Sequence, residues 1–140
     1  MAISKLNPYL MFNGDAAKAI ALYERALGAK TQVVTRYGDV AECKTTPEAD
    51  DRVIHASLDV DGATIMISDG RPEDAPVKEG NVHVCLDLTT EEDLNAKFNA
   101  LAEGGRVTSP LQDTFWGARF GTLTDAYGVQ WMFNYTKPRT

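Results

Sequence analysis

Residues 53–68, VIHASLDVDGATIMIS, decide the fold. Ile54, Ala56, Leu58 and Val60 alternate with His55, Ser57 and Asp59. Successive side chains of a strand point to opposite faces, so the run has one apolar face and one mixed face. Asp61-Gly62 follows, two positions that tolerate positive φ and so signal a two-residue hairpin turn, and Ala63–Ser68 returns as the next strand. Working back from this hairpin, Lys30–Tyr37 reads as a strand and Pro8–Phe12 as another. Between them Ile20, Tyr23 and Leu27 recur at spacings of 3 and 4, the stripe of an amphipathic helix. Asp15 is placed to cap its start, and Gly28 to close it in the left-handed region. The order is βαβββ.

Working forward, the same order repeats. Val82, Val84, Leu86 and Leu88 alternate with His83, Cys85 and Asp87. Thr90 then stands three residues before Asp93, a spacing that resembles a capping box. Leu94, Phe98 and Leu101 form a helical stripe stopped by Gly104-Gly105. Strands are expected at Arg106–Leu111, Ala118–Thr124 and Val129–Tyr135, with a turn at Ala126-Tyr127-Gly128. Pro8 to His83 and Tyr23 to Phe98 are both separated by 75 positions; Gly62 to Gly128 and Met66 to Met132 are both separated by 66. Constant offsets in matching element order point to a duplicated unit. The expected division is a first module over 1–70, a polar linker over 71–81 and a second module over 82–140. Together they form one structural domain of the α+β class.

Composition narrows the function. At 140 residues and 44% hydrophobic, the chain has the length and make-up of one globular domain. Its 20 acidic and 14 basic side chains give a net charge of −6, which disfavours a nucleic-acid partner. No run of 18 apolar residues provides a membrane span, and the first residues carry no secretory-signal pattern. Cys43 and Cys85 are too few for a disulfide scaffold and lack metal-clip spacing. A cytoplasmic location is expected. Neither GxGxxG nor GxxxxGK[ST] occurs, so no nucleotide cofactor is expected, and GxSxG and HExxH are missing as well.

The paired modules, with PYLMFNG at 8–14, HASL at 55–58, LQDTFWG at 111–117 and DAYGVQW at 125–131, resemble the vicinal oxygen chelate superfamily. That superfamily includes glyoxalase I, extradiol dioxygenases, fosfomycin-resistance enzymes and bleomycin-binding proteins. The likeness is strongest to its PhnB-like branch, which usually has Asp-Pro-Phe-Gly where Ala126 and Tyr127 supply the middle pair here. The resemblance implies two βαβββ modules whose mixed sheets curve into a cup, with the helices on the outer face. It also implies a divalent metal held by the first and fourth strands of each module, able to stabilise an enolate or activate oxygen. Transferred residue by residue, the four ligand positions fall at Pro8, Met66, His83 and Met132. Only His83 is an ordinary ligand for such an ion, because proline offers no donor and thioether sulfur is too soft. His55, with Asp59 or Asp69 nearby, is the available substitute.

The candidate catalytic residues are His83 and His55, each with a structural alternative as a hydrogen-bonded sheet histidine. Phe12, Ser57, Met66, Cys85, Trp116, Gln130 and Met132 are the candidate substrate-binding residues. Trp116 either walls the cup or seals a sheet edge. Cys85 is either a nucleophile beside His83 or an inert thiol. Trp131 is expected in the core. Three functions compete: a lyase, isomerase or dioxygenase acting on a small polar metabolite; a metal-free protein sequestering a cationic or aromatic molecule such as an antibiotic; and an interaction protein with a vestigial cup. A methyltransferase is disfavoured, because the glycine pair Gly104-Gly105 follows a helix where a methyl-donor site needs a glycine-rich turn leading from a strand into a helix. The expected partners are a small-molecule ligand and a second copy in a homodimer.

Overall fold

A computed structural model describes residues 3–40, 51–70 and 80–138. Cys43 and most of the expected linker (71–79) lie outside the described residues. The chain divides into two compact units, Met1–Pro76 and Val77–Thr140.

The first unit contains β1 (Tyr9–Met11), α1 (Ala16–Leu27), β2 (Lys30–Arg36), β3 (Val53–Val60) and β4 (Ala63–Ser68). Its sheet has the order β1-β4-β3-β2, with β1 parallel to β4 and the other pairs antiparallel. The Asp61-Gly62 turn forms as expected, both residues having positive φ, 50° and 94°. Gly28 ends α1 at φ 70°, where its amide reaches Glu24 O. Ile20, Tyr23 and Leu27 are buried, as are Ala56, Leu58, Ile65 and Ile67 on the facing side of the sheet. The cap of α1 differs from expectation. Asp15 makes no side-chain capping bond. Asp69 supplies it from the end of β4: its Oδ1 accepts from the Gly14 and Ala16 amides at 2.7 and 2.9 Å, and its Oδ2 from the Val53 amide at 2.9 Å. A carboxylate serving three backbone donors ties β4, β3 and the helix start together.

The second unit contains β5 (Val84–Asp87), α2 (Glu91–Ala102), β6 (Arg106–Asp113), β7 (Ala118–Thr124) and β8 (Gln130–Thr136), in the sheet order β5-β8-β7-β6. The first strand of each module is shorter than the alternation suggested, although Pro8, Phe12 and Leu88 beside them still bond to the backbone of the neighbouring fourth strands. Thr90 caps α2 through the Asp93 amide, 3.1 Å from its Oγ1. Thr90→Ala is therefore expected to lower stability by about 1 kcal/mol in urea unfolding. Leu94, Phe98 and Leu101 are buried against Leu123, Trp131 and Phe133, and the Phe98 and Phe133 rings meet edge-to-face with centroids 5.2 Å apart. Trp131 is fully buried, and its indole N–H donates to Asp125 Oδ2 at 2.9 Å.

Pairing corrects one offset. Tyr9 stands opposite Met66, and Cys85 stands opposite Met132. With the fourth strands related by 66, the first strands are related by 76, although the helix stripes keep 75. The chain runs through residues 12–15 between β1 and α1, but only through 88–90 between β5 and α2. One residue fewer in that connection accounts for the change from 75 to 76; Pro8 and His83 lie one and two positions before the residues that pair with the two methionines.

Candidate small-molecule site

In each sheet, alternation sends one set of side chains toward the helix and the other to the opposite, helix-free face. In the first module that free face carries Tyr9 and Met11 from β1, Met66 and Ser68 from β4, and His55 and Ser57 from β3. The cross-strand pairs Tyr9–Met66, Met11–Ser68 and Ser57–Met66 fix the arrangement. Its polar centre is a bond of 2.8 Å between the Tyr9 hydroxyl and His55 Nδ1, with the two rings tilted at 56° and 5.6 Å apart. Burial holds the Tyr9 phenol above its ordinary pKa, against the opposing pull of a hydrogen bond with Ser68; the neighbouring Tyr37 pushes it further up. The phenol therefore stays protonated through neutral pH and remains a donor.

The free face of the second module carries Cys85 and Asp87 from β5 and Gln130, Met132 and Asn134 from β8, fixed by the pairs Cys85–Met132 and Asp87–Asn134. Burial raises the Cys85 thiol, and the Asp87 carboxylate raises it further. Both causes keep it protonated, the opposite of what a nucleophilic cysteine needs. The Gln130 amide nitrogen donates to Gly80 O and Val82 O at 2.9 and 3.4 Å, so this side chain tethers the entry to β5. His83 precedes β5 and is exposed.

Of the residues singled out from sequence, His55, Ser57 and Met66 share one face of the first module, and Cys85, Gln130 and Met132 share one face of the second. Phe12 is placed differently: it follows β1 with the opposite alternation and is 4% exposed among the core residues. Trp116 lies in the turn between β6 and β7. Asp69 is consumed by its three amides. Tyr9 and Ser68 were missed. The signal was available, since Tyr9 lies two residues before Met11 in an alternating strand, but the offset of 75 drew attention to Pro8.

A family model, the Glyoxalase/Bleomycin resistance protein/Dioxygenase superfamily, matches residues 5–133, and the chain belongs to that superfamily. Among its relatives, Protein YjdN of Escherichia coli is 35% identical over 94% of this chain and 95% of its own. The protein PA1353 from Pseudomonas aeruginosa has a crystal structure that superposes with a TM-score of 0.87, at 34% identity over 97% of this chain and 100% of that one. The PhnB protein from Bacillus cereus, described as a candidate 3-demethylubiquinone-9 3-methyltransferase, gives a TM-score of 0.76 at 26% identity over 94% and 99% of the two chains.

The metal that the superfamily implies can be tested against the donors present. The paired positions on first and fourth strands hold Tyr9 with Met66 and Cys85 with Met132. A phenol, a thiol and two thioethers are not the imidazole and carboxylate set that a hard or borderline divalent ion takes. Among the described residues no three His, Cys, Asp or Glu side chains come together. The residues present do not fit such an ion.

Proposed function

We propose that this superfamily member binds a small polar molecule on the helix-free face of its first module, using organic side chains rather than a resident metal. The observation that carries the reading is the Tyr9–His55 hydrogen bond at 2.8 Å. An imidazole, a phenol and the Ser57 hydroxyl offer donors and acceptors above a thioether floor of Met66 and Met11. Thioether side chains are polarizable and adapt to irregular apolar surfaces. The same pair supports a second reading, acid–base chemistry on the bound molecule, because a protonated phenol bonded to an imidazole can exchange a proton with a ligand oxygen. A cytoplasmic setting suits an acidic chain with two cysteines.

Methyl transfer, the description carried by the Bacillus cereus relative, is not part of the proposal. The helix start that could receive an anionic cofactor group is α1, and its Gly14 and Ala16 amides already donate to Asp69. The test is a thermal-shift screen of small polar acids, amines and aromatic molecules, followed by calorimetry on Tyr9→Phe and His55→Ala. Hits should lose at least about tenfold in affinity in Tyr9→Phe, the loss of one net hydrogen bond at 1.4 kcal/mol per decade. Ligands that bind both variants as tightly as the parent would defeat the assignment. So would stoichiometric uptake of manganese, nickel or zinc that His55→Ala abolishes.

A further inference from the structure

The Tyr9–His55 bond fixes which nitrogen of the imidazole carries the proton. A neutral imidazole has one N–H and one bare acceptor nitrogen. That bare nitrogen is a far stronger acceptor than a phenol oxygen, and burial, which holds the Tyr9 pKa up, keeps the phenol protonated. The 2.8 Å bond therefore runs from the Tyr9 O–H to Nδ1, and the imidazole hydrogen sits on Nε2. Nε2 has no partner among the described residues. No buried side-chain nitrogen or oxygen there is left without one, so Nε2 opens to solvent. The face presents one neutral N–H donor.

The surroundings select what that donor can hold. His55 stands opposite Thr35, Ser57 opposite Val33, and Tyr9 opposite Met66. Tyr9, Met11 and Val33 are exposed although each is large and mostly apolar. The charged groups nearby are taken. Arg52 spends its guanidinium on Asn13 Oδ1 and on the Asp69 and Gly70 carbonyls, and Arg36 donates to the Asp51 carbonyl. Lys30 and Asp59 stand opposite each other, four residues and about 13 Å along β3 from His55. An anion laid here would shed its water for one neutral hydrogen bond, which returns far less than the desolvation costs. An ammonium would bring a donor to a donor. A neutral oxygen acceptor meets neither penalty, and thioethers make favourable contacts with flat rings.

Resting on the reading of this face as the ligand site, we propose that the molecule it takes is neutral: a carbonyl oxygen accepts from His55 Nε2–H while a flat apolar body lies against Met66 and Met11. Tyr9 is a positioning residue, holding the tautomer that leaves Nε2 as the donor. The Ser57 hydroxyl, on the same face, is placed for a second polar atom of that body.

Two measurements on the full chain test this. Long-range proton–nitrogen correlation on the 15N-labelled protein at mildly alkaline pH reads the tautomer. The chain has two histidines, so His83→Gln assigns the His55 signals. The parent should show the Nε2–H form, and Tyr9→Phe a mixture of both forms. Calorimetry with benzamide, benzoate and benzylamine, three probes of one size, then reads the class. Benzamide should bind at least about tenfold more tightly than either charged probe and lose that margin in His55→Ala. A parent in the Nδ1–H form would overturn the proposal. So would benzoate or benzylamine binding as tightly as benzamide; if His55→Ala still weakened them, the site would stand and the ligand class would fall. Three probes that bind parent and His55→Ala alike, or none that binds the parent, would defeat the site reading and the proposal with it.

Discussion

Asp69→Ala is expected to unfold the first module far below the parent's melting temperature. The side chain is 2% exposed and accepts the Gly14, Ala16 and Val53 amides. Alanine leaves three backbone donors without an acceptor, two of them at the start of a helix where no other side chain caps. An unsatisfied buried donor costs about 1–3 kcal/mol, and water reaches the partly buried Gly14 amide, so the summed loss is about 3–5 kcal/mol. At the size of this chain that is a fall of about 10–20 °C in melting temperature. Asp69→Asn keeps one carbonyl oxygen and should lose less, because an amide can still serve Gly14 and Ala16 while its nitrogen faces the Val53 N–H. Differential scanning calorimetry on the three proteins ranks them. Equal melting temperatures for the alanine variant and the parent would show that the carboxylate does not hold the helix start.

The second module meets the same need differently. Asp125 Oδ1 accepts the Tyr127 and Val129 amides at 2.9 and 3.1 Å, and its Oδ2 takes the Trp131 indole. One buried carboxylate thus fixes the β7–β8 turn and a core ring, whereas α2 is capped by its own Thr90. The duplicated order of elements was legible in the sequence because it is written in local signals: the Asp61-Gly62 turn, the apolar stripes and the strand alternation. The cap of α1 was not. Its acceptor lies 53 positions from Ala16, and nothing near Asp15 betrays that a distant carboxylate has taken its place. The site was half legible for a related reason. Alternation put His55, Ser57 and Met66 on one face, but the residues opposite Met66 and Met132 are Tyr9 and Cys85, one and two positions beyond Pro8 and His83, and the first strands are related by 76 where the helices are related by 75. An offset measured on helices does not transfer to strands across a connection of different length.

Gly105 tests the packing of the second module more severely than any side chain there. A Cβ at this position would sit 2.2 Å from Thr124 O, 2.7 Å from the Asp125 carbonyl carbon and 2.9 Å from its Cα. All three are backbone atoms, at the point where the chain leaves α2 and β6 begins beside the end of β7. Rotamer changes cannot relieve such a clash, so β6 or the Asp125 turn must move, and that turn also carries the Trp131 bond. Gly121→Ala is the informative control. Its Cβ would meet Leu111 Cδ2 at 2.9 Å, Phe98 Cε2 at 3.0 Å and the Leu111 amide nitrogen at 3.1 Å, so two of the three neighbours can shift. Overpacking of a core costs about 1–3 kcal/mol, and more where backbone is forced. Gly121→Ala should therefore lose about 1–2 kcal/mol in urea unfolding, and Gly105→Ala about 3 kcal/mol or more. Leu111→Ala should recover part of the Gly121→Ala loss, because neighbouring sites couple, and none of the Gly105→Ala loss. A Gly105→Ala protein as stable as Gly121→Ala would mean that the α2–β6 connection relaxes without disturbing Asp125, and the close approach would then carry no structural weight.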